Sequence, residues 1–221
     1  MSEKATTLTP HEAAAAAAIS VRDMHRAIDE GIVSGAFTEV HNGERRFDPT
    51  ASVLMAYYVG LADKVTAKER RRVIEASAPY VTATLDPSCR AVRDRSGLAT
   101  SEPSEQMDTH LVTLIAHVRD RLKRIEAARA AVTSSDGVLN GTPVIHGTRI
   151  PVHYVAATYE TEGLDGVRAA YPDLDDDTIE LAKLYADTHP LRGGPPGRTV
   201  PSGATMRTTW RARHATTRAG A

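Results

Sequence analysis

The chain has little cysteine: Cys89 is the one cysteine among 221 residues. A single cysteine excludes an internal disulfide, and a metal site that used it would need other ligand types. Nine histidines are scattered without a metal-ligand spacing, and no phosphate-binding glycine loop occurs. We therefore predict a buried thiol at Cys89, no metal, no cofactor and no catalytic residues, so the chain is not expected to be an enzyme.

Long apolar runs are also missing. No stretch is long and apolar enough to span a bilayer, and the segment Met1–Lys4 lacks the basic and apolar regions of a signal peptide. These absences predict a cytoplasmic protein without a membrane partner. Aromatic residues make up only 5% of the chain, which favours several small helical units over one large core.

Acidic residues are absent after Asp187, although the whole chain has a net charge of −1. This tail contains six arginines, so the preceding residues carry a net charge of −7. Its prolines and glycines oppose regular structure, and we expect residues 188–221 to order only on binding. A basic tail predicts an acidic partner, either nucleic acid or a protein with a carboxylate-rich site. The six are Arg192, Arg198, Arg207, Arg211, Arg213 and Arg218.

The first 31 residues carry the signals of two short helices. Thr9 followed by Glu12 is a capping box, which starts a helix that reaches about Ala18. Ser20 starts a second helix, and Gly31 ends it. Two short helices joined by a tight turn predict a helix-turn-helix. The alternative is a helix pair with a solvated, charged face.

The following segment has the pattern of a wing. Predicted strands 37–40 and 45–47 flank Asn42-Gly43, the strongest hairpin signal, and Asp48 starts a helix over 51–62. The order resembles a MerR-like winged helix-turn-helix, so residues 1–62 are a predicted DNA-binding domain. Its second helix would enter the major groove, and its wing would contact phosphate or the minor groove. The candidate DNA contacts are Ser20, Arg22, Asp23, His25, Arg26, Arg45 and Arg46.

Residues 63–135 are interpreted as a linking region. A basic helix over 66–78, a strand over Tyr80–Leu85 and a loop over 88–103 precede a long helix over 104–132. Apolar residues recur along the long helix in steps of four and three, which is a heptad seam. The seam either packs on its own domain or forms a dimer. Its residues are Leu111, Ile115, Val118, Leu122 and Ile125.

Residues 136–187 predict a small β-hairpin and a homeodomain-like bundle of three helices. The hairpin spans 144–150, where Thr148 and Arg149 are expected to tie the strands together or to pair across a dimer. The helices are predicted over 152–161, 164–171 and 178–187, with a break at Gly163. Asp175–Asp177 then lie at the positive end of the last helix dipole. The whole chain is predicted to be mainly α.

Residues 141–152, Gly-Thr-Pro-Val-Ile-His-Gly-Thr-Arg-Ile-Pro-Val, resemble the signature of the Domain of Unknown Function 433 family. The resemblance extends over 138–193, and His189-Pro-Leu-Arg-Gly193 is similar to the basic end of many members. It implies a homeodomain-like, usually dimeric, VapB-type antitoxin for a toxin of the PIN-like ribonuclease group. The chain departs from the pattern at Leu191, where many members have a second arginine.

The resemblance and the basic tail together predict a type II antitoxin that inhibits a VapC-type, PIN-like ribonuclease and represses its own operon. PIN-like sites are carboxylate clusters around a divalent metal, which an arginine fork can enter. The expected partners are this toxin, operator DNA and a second copy, within a larger hetero-oligomer. The alternative is a stand-alone MerR-like regulator that senses a small ligand. Expected toxin contacts are Tyr185, His189, Leu191, Arg192, Gly193 and Arg198.

Overall fold

The computed structural model describes residues 7–85, 108–135 and 141–191. In these ranges the chain forms seven α-helices and two small antiparallel sheets, which confirms the mainly α fold class. The helices are α1 (Pro10–Ala17), α2 (Val21–Asp29), α3 (Pro49–Gly60), α4 (Ala67–Leu85), α5 (Asp108–Ala130), α6 (Val152–Ala170) and α7 (Asp176–Thr188). The strands are β1 (Thr38–His41), β2 (Glu44–Phe47), β3 (Val132–Thr133) and β4 (Val144–Ile145).

The first three helices and the hairpin follow the predicted order. The capping box at the start of α1 is present, since Thr9 and Glu12 each bond the other's backbone N–H. Ser20 caps α2. Helix α1 ends at Ala18, whose left-handed φ of 54° turns the chain toward α2. The predicted starts of both helices are therefore confirmed.

The hairpin β1–β2 turns at Asn42-Gly43 as predicted. Both residues have positive φ, 51° and 78°, as a type I′ turn requires, and His41 faces Glu44 across it. Phe47 ends β2 with a fully buried side chain. Its backbone also pairs with Leu8 through two 2.9 Å hydrogen bonds, so the segment before α1 holds the base of this hairpin.

Helices α1, α2, α3, α4 and α5 share one hydrophobic core. Helix α3 is buried along most of its length and packs against α1, α4 and α5. The heptad seam of α5 faces this core: Leu111, Ile115, Val118 and Ile125 are almost fully buried within the chain itself. The structure thus selects the first alternative for the seam, because its apolar side chains are already covered.

Helix α4 continues through Tyr80–Leu85, so the predicted strand there is wrong. The β-branched residues suggested a strand, but Val81 is buried in the core. The hydroxyls of Thr82 and Thr84 donate to backbone carbonyls four residues earlier, at 2.9 and 2.8 Å. Tertiary packing therefore outweighs the local strand preference. The loop predicted over 88–103, with Cys89, lies outside the described residues.

A second core belongs to α6, α7 and the small sheet β3–β4. Strand β4 pairs mainly with β3, which immediately follows α5. In place of the hairpin predicted over 144–150, the chain forms a turn with one β-bridge between Val144 and Pro151. Gly163 interrupts α6 with a φ of 69° and a ψ of −171°, which confirms the predicted break between two helices. The buried members of this core are Ile145, Val152, Val155, Val167, Ile179 and Ala182.

The described residues up to His189 belong to one compact unit, and Pro190 begins a second. The boundaries predicted after residues 62 and 135 lie inside the first unit, where α4 and α5 share a core with α1, α2 and α3 instead of only linking them to the later helices. The first unit ends at His189, close to the predicted start of the tail at residue 188.

Candidate functional site

Helix α2 has one face in the core and one in solvent. Met24 and Ala27 are buried, while Arg22 and Arg26 are exposed and His25 is half-buried. Three of the residues predicted to contact DNA thus lie along the outer side of a short helix whose inner side is fixed. This is the placement that a helix needs to enter a groove.

Ser20 and Asp23 are occupied with each other at the start of α2. The backbone N–H of Asp23 donates to the Ser20 hydroxyl at 3.0 Å, and that hydroxyl donates to the Asp23 carboxylate at 2.7 Å. Both were predicted as DNA contacts. The structure gives them a capping role, which fixes the helix end while both stay exposed.

Two exposed ion pairs surround the C-terminal end of α2. Arg26 pairs with Glu30 at 2.6 Å, and their side chains remain 69% and 40% exposed. Arg45 on β2 pairs with Asp29 at 3.3 Å, which brings the hairpin β1–β2 against α2. These contacts are exposed, so solvent already competes for each group.

The second arginine of β2 is less accessible. Arg46 lies beside Glu44 of the same strand at 3.3 Å, and 26% of its side chain is exposed. The predicted wing contacts therefore separate, with Arg45 facing α2 and Arg46 packed along β2.

A basic stretch of α4 borders the same face, and it was not among the predicted contacts. Arg71 donates to the backbone carbonyl of Glu30 at 3.1 Å, and Arg70 lies 4.5 Å above the Tyr58 ring. The basic run at 68–72 was the signal in the sequence. Its position beside α2 depends on the packing of α3 against α4, which the sequence does not reveal.

A buried carboxylate joins the start of the chain to its later helices. Glu12 is fully buried, and Arg129 of α5 donates two hydrogen bonds of 2.6 Å to its carboxylate. His189, directly after α7, places Nε2 3.4 Å from the same carboxylate. Arg129 also donates to the carbonyl of Thr7 at 3.1 Å. We call Glu12, Arg129, Tyr185 and His189 the anchor cluster.

The anchor cluster keeps its carboxylate ionised. Burial by itself would raise the pKa of Glu12, but hydrogen bonds from Arg129 and from the Thr9 N–H outweigh it and lower this pKa. The Arg129 hydrogen bond to Glu12 likewise raises the pKa of the guanidinium. Glu12 therefore serves two purposes, as a helix cap and as the partner of a distant arginine.

Tyr185 and His189, both predicted to bind the toxin, stack on each other. Their ring centroids are 4.1 Å apart and their planes differ by 6°. Burial, followed by the charge of Glu12, raises the pKa of Tyr185. The structure gives both residues internal contacts within the first unit. Leu191 is exposed, whereas Arg192, Gly193 and Arg198 lie outside the described residues.

Two further histidines, His11 and His153, have lowered pKa values. Burial, with smaller effects from His25 and His189, lowers the pKa of His11. Burial and then His189 lower the pKa of His153 on the first turn of α6. Both imidazoles consequently favour the neutral form.

The described residues offer neither a metal-ion cluster nor a membrane-spanning helix. Within 7–85, 108–135 and 141–191, no three histidine, cysteine, aspartate or glutamate side chains are grouped to hold a metal ion. None of the helices seen there is both long and apolar enough to cross a membrane.

Residues 132–186 match the model of the family described as protein of unknown function (DUF433). The chain is also 36% identical over 191 residues to the uncharacterized protein y4eO of Sinorhizobium fredii (strain NBRC 101917 / NGR234). That match covers 86% of this chain and 84% of the relative. No solved structure matches the chain. On the family match and this nearly full-length relative, the chain belongs to the DUF433 family.

Proposed function

We propose that this protein is a DNA-binding antitoxin: α2 and the wing bind operator DNA, and the C-terminal part binds a PIN-like ribonuclease. The observation that carries the DNA-binding half is the solvent-facing α2, with Arg22 and Arg26 on its outer side and a wing beside it. The antitoxin half is supported by the resemblance of the DUF433 region and by the basic tail.

The ion pairs around α2 suit reversible DNA binding. Arg26 and Arg45 are held by carboxylates that remain in solvent, so exchanging these for phosphate or a base edge costs little. Arginine forms a bidentate pair with guanine, and Arg22 makes no ion pair with any residue of the described ranges. Arg71 adds positive charge at the far end of the helix.

Binding of the toxin and of DNA are expected to reinforce each other. An arginine-rich tail supplies guanidinium forks for a carboxylate cluster that holds a divalent metal. A toxin that joins two antitoxin dimers on one operator raises the affinity for DNA by avidity. The complex then represses its operon more strongly than the antitoxin alone.

The DNA-binding half is tested with a labelled duplex from the region upstream of the chain's own gene. Fluorescence anisotropy should show Arg22→Ala and Arg26→Ala each raising Kd about tenfold or more. Lys123→Ala on α5 removes an equal charge from a side chain that is 70% exposed, and it should leave Kd unchanged. Equal affinity for wild type and both arginine variants would exclude α2 as the DNA-binding helix.

The antitoxin half is tested by co-expression with the neighbouring open reading frame. The neighbour should be toxic alone, rescued by the whole chain, and not rescued by a chain that ends at Leu191. That truncation keeps the anchor cluster, so a lost rescue reports on the tail and not on unfolding. A harmless neighbour that does not co-purify would favour the stand-alone, ligand-sensing regulator.

A further inference from the structure

Five basic residues lie between the end of α3 and the second turn of α4. Between positions 64 and 72 they accompany one carboxylate, that of Glu69. This carboxylate caps the start of α4, because it accepts hydrogen bonds from the Thr66 backbone N–H at 3.0 Å and from the Thr66 hydroxyl at 2.7 Å. Asp63 and Glu75 flank the run, so residues 63–75 carry a net charge of +2. The basic residues are Lys64, Lys68, Arg70, Arg71 and Arg72.

Three of these side chains form one exposed strip. Arg71 and Arg72 follow Lys68 by three and four positions, so all three project from one side of α4. They are exposed, and none of them forms an ion pair with a residue of the described ranges. Arg70 differs, because it is half-buried and its guanidinium lies 4.5 Å from the centre of the Tyr58 ring. We call Lys68, Arg71 and Arg72 the α4 strip.

The α4 strip is continuous with the outer face of α2 through Glu30, the residue that caps the end of α2. Arg71 donates to the backbone carbonyl of Glu30 at 3.1 Å. The carboxylate of the same residue pairs with Arg26 of α2 at 2.6 Å. Glu30 thus contacts one cation of each surface, and the α4 strip begins where the proposed DNA-binding helix ends.

The hairpin β1–β2 presents less charge for phosphate. Residues 38–47 contain two acidic and two basic side chains, so their formal net charge is zero. Arg45 is paired with Asp29, and Arg46 lies beside Glu44 with 26% of its side chain exposed. The sequence predicted the wing as the element that contacts phosphate, but the α4 strip has more positive charge without a carboxylate partner in the described part of the chain.

We propose that the α4 strip binds the sugar–phosphate backbone of DNA beside the groove that α2 enters. This inference rests on the proposed DNA binding by α2, and it assigns the sequence-independent share of the affinity to α4 instead of the hairpin. Phosphate contacts position a protein on the duplex, whereas side chains in the groove select the bases. Each neutralised phosphate also releases counterions, so it makes the affinity depend more steeply on salt.

Two features favour DNA over an acidic protein as the occupant. The first is position, because phosphates border the groove on both sides and the α4 strip adjoins the end of the helix placed to enter it. The second is composition: in α2 and α4, which the structure describes from end to end, no large apolar side chain is exposed. Protein interfaces are centred on apolar and aromatic anchors, whereas a phosphate backbone requires only charge and hydrogen-bond donors.

The test repeats the anisotropy titrations at several salt concentrations, with the upstream duplex and with a shuffled duplex of equal composition. Lys68→Ala and Arg72→Ala should each raise Kd about threefold or more for both duplexes, and each should lower the slope of log Kd against log salt by about one. Arg22→Ala should instead raise Kd mainly for the upstream duplex. Arg46→Ala on β2 and Lys123→Ala on α5 remove an equal charge and should leave the slope nearly unchanged.

Unchanged circular dichroism and Tm show that the α4 variants are folded, since Lys68 and Arg72 are exposed. A slope that falls as much in Arg46→Ala as in the α4 variants would return the phosphate contacts to the hairpin and overturn the proposal. If the α4 variants keep their affinity for DNA but no longer co-purify with the product of the neighbouring open reading frame, the occupant is a protein, and the proposal is overturned in that case too.

The remaining outcomes separate this inference from the proposed function. If Arg22→Ala weakens binding of the upstream duplex while both α4 variants leave Kd and slope unchanged, the α4 strip does not contact DNA and the proposed function stands. If the α4 variants lower the slope while Arg22→Ala and Arg26→Ala change nothing, the strip binds DNA and α2 does not. If the wild type binds neither duplex at low salt, both proposals fall.

Discussion

The outer face of α2 and the anchor cluster use the same chemistry in opposite surroundings. At α2, Arg26 meets Glu30 at 2.6 Å with both side chains largely in solvent. In the anchor cluster, Arg129 meets Glu12 at the same distance, but the carboxylate is fully buried. The distance between the charged atoms therefore does not distinguish an ion pair that stabilises the fold from one that can exchange its partner for a ligand. The exposure of the two side chains does distinguish them.

The largest effect should come from breaking the buried pair. Arg129→Ala leaves the Glu12 carboxylate buried without its partner, so the free energy of unfolding should fall by about 3 kcal/mol. Arg124→Ala is the matched control, because it too removes an arginine–glutamate ion pair. This pair joins α5 to α7 at 2.7 Å, and its side chains are half exposed. Its cost should be no more than about 1 kcal/mol. Urea unfolding compares the two, and equal losses would contradict the distinction.

A smaller effect concerns pH, because the anchor cluster and its neighbours titrate differently folded and unfolded. His11 and His153 have pKa values below the ordinary 6.5, so the unfolded chain binds more protons as the pH falls through 6.5. Stability should therefore decline there. Stability should decline a second time below pH 4.5. There Glu12 becomes protonated in the unfolded chain before it does so in the folded chain, because folding lowers its pKa.

Substitutions show which residues cause each of the two declines in stability. His11→Gln with His153→Gln should flatten the upper one, and Glu12→Gln should remove the lower one at a general cost in stability. Chemical unfolding at a series of pH values is the measurement. A rise in stability on acidification through 6.5 would contradict the burial of the two imidazoles.

The smallest effect should come from the exposed pairs. Asp29→Asn removes the carboxylate that holds Arg45 and that repels phosphate, so DNA affinity should rise a few-fold while stability stays unchanged. Asp120→Asn on α5 makes the same charge change at a side chain that is 73% exposed, and serves as the control. Equal gains for both variants would mean that net charge, not the position of Arg45, sets the affinity.

Local signals in the sequence predicted much of the fold. The Thr9 capping box, the Ser20 cap, the Asn42-Gly43 turn and the break at Gly163 each depend on residues within a few positions of one another. The outer face of α2 followed from the same local reading.

Distant contacts were not predictable in this way. Glu12 was read as a helix cap, but its main partner lies 117 residues further on. Strand β4 pairs with β3 across a gap of ten residues, and Val81 is helical because the core covers it. Tyr185 and His189 were taken as surface contacts, since nothing in the sequence placed them beside Glu12.

The position of His189 also has an evolutionary consequence. The first unit ends at this residue, whose ring lies beside Glu12 and stacks on Tyr185, so both of these contacts are made before the basic tail begins. Under the proposed function, a duplicated gene could recombine at this point and acquire a new toxin partner while it keeps its operator. The specificity for the toxin and the specificity for the operator would then be inherited as separate modules.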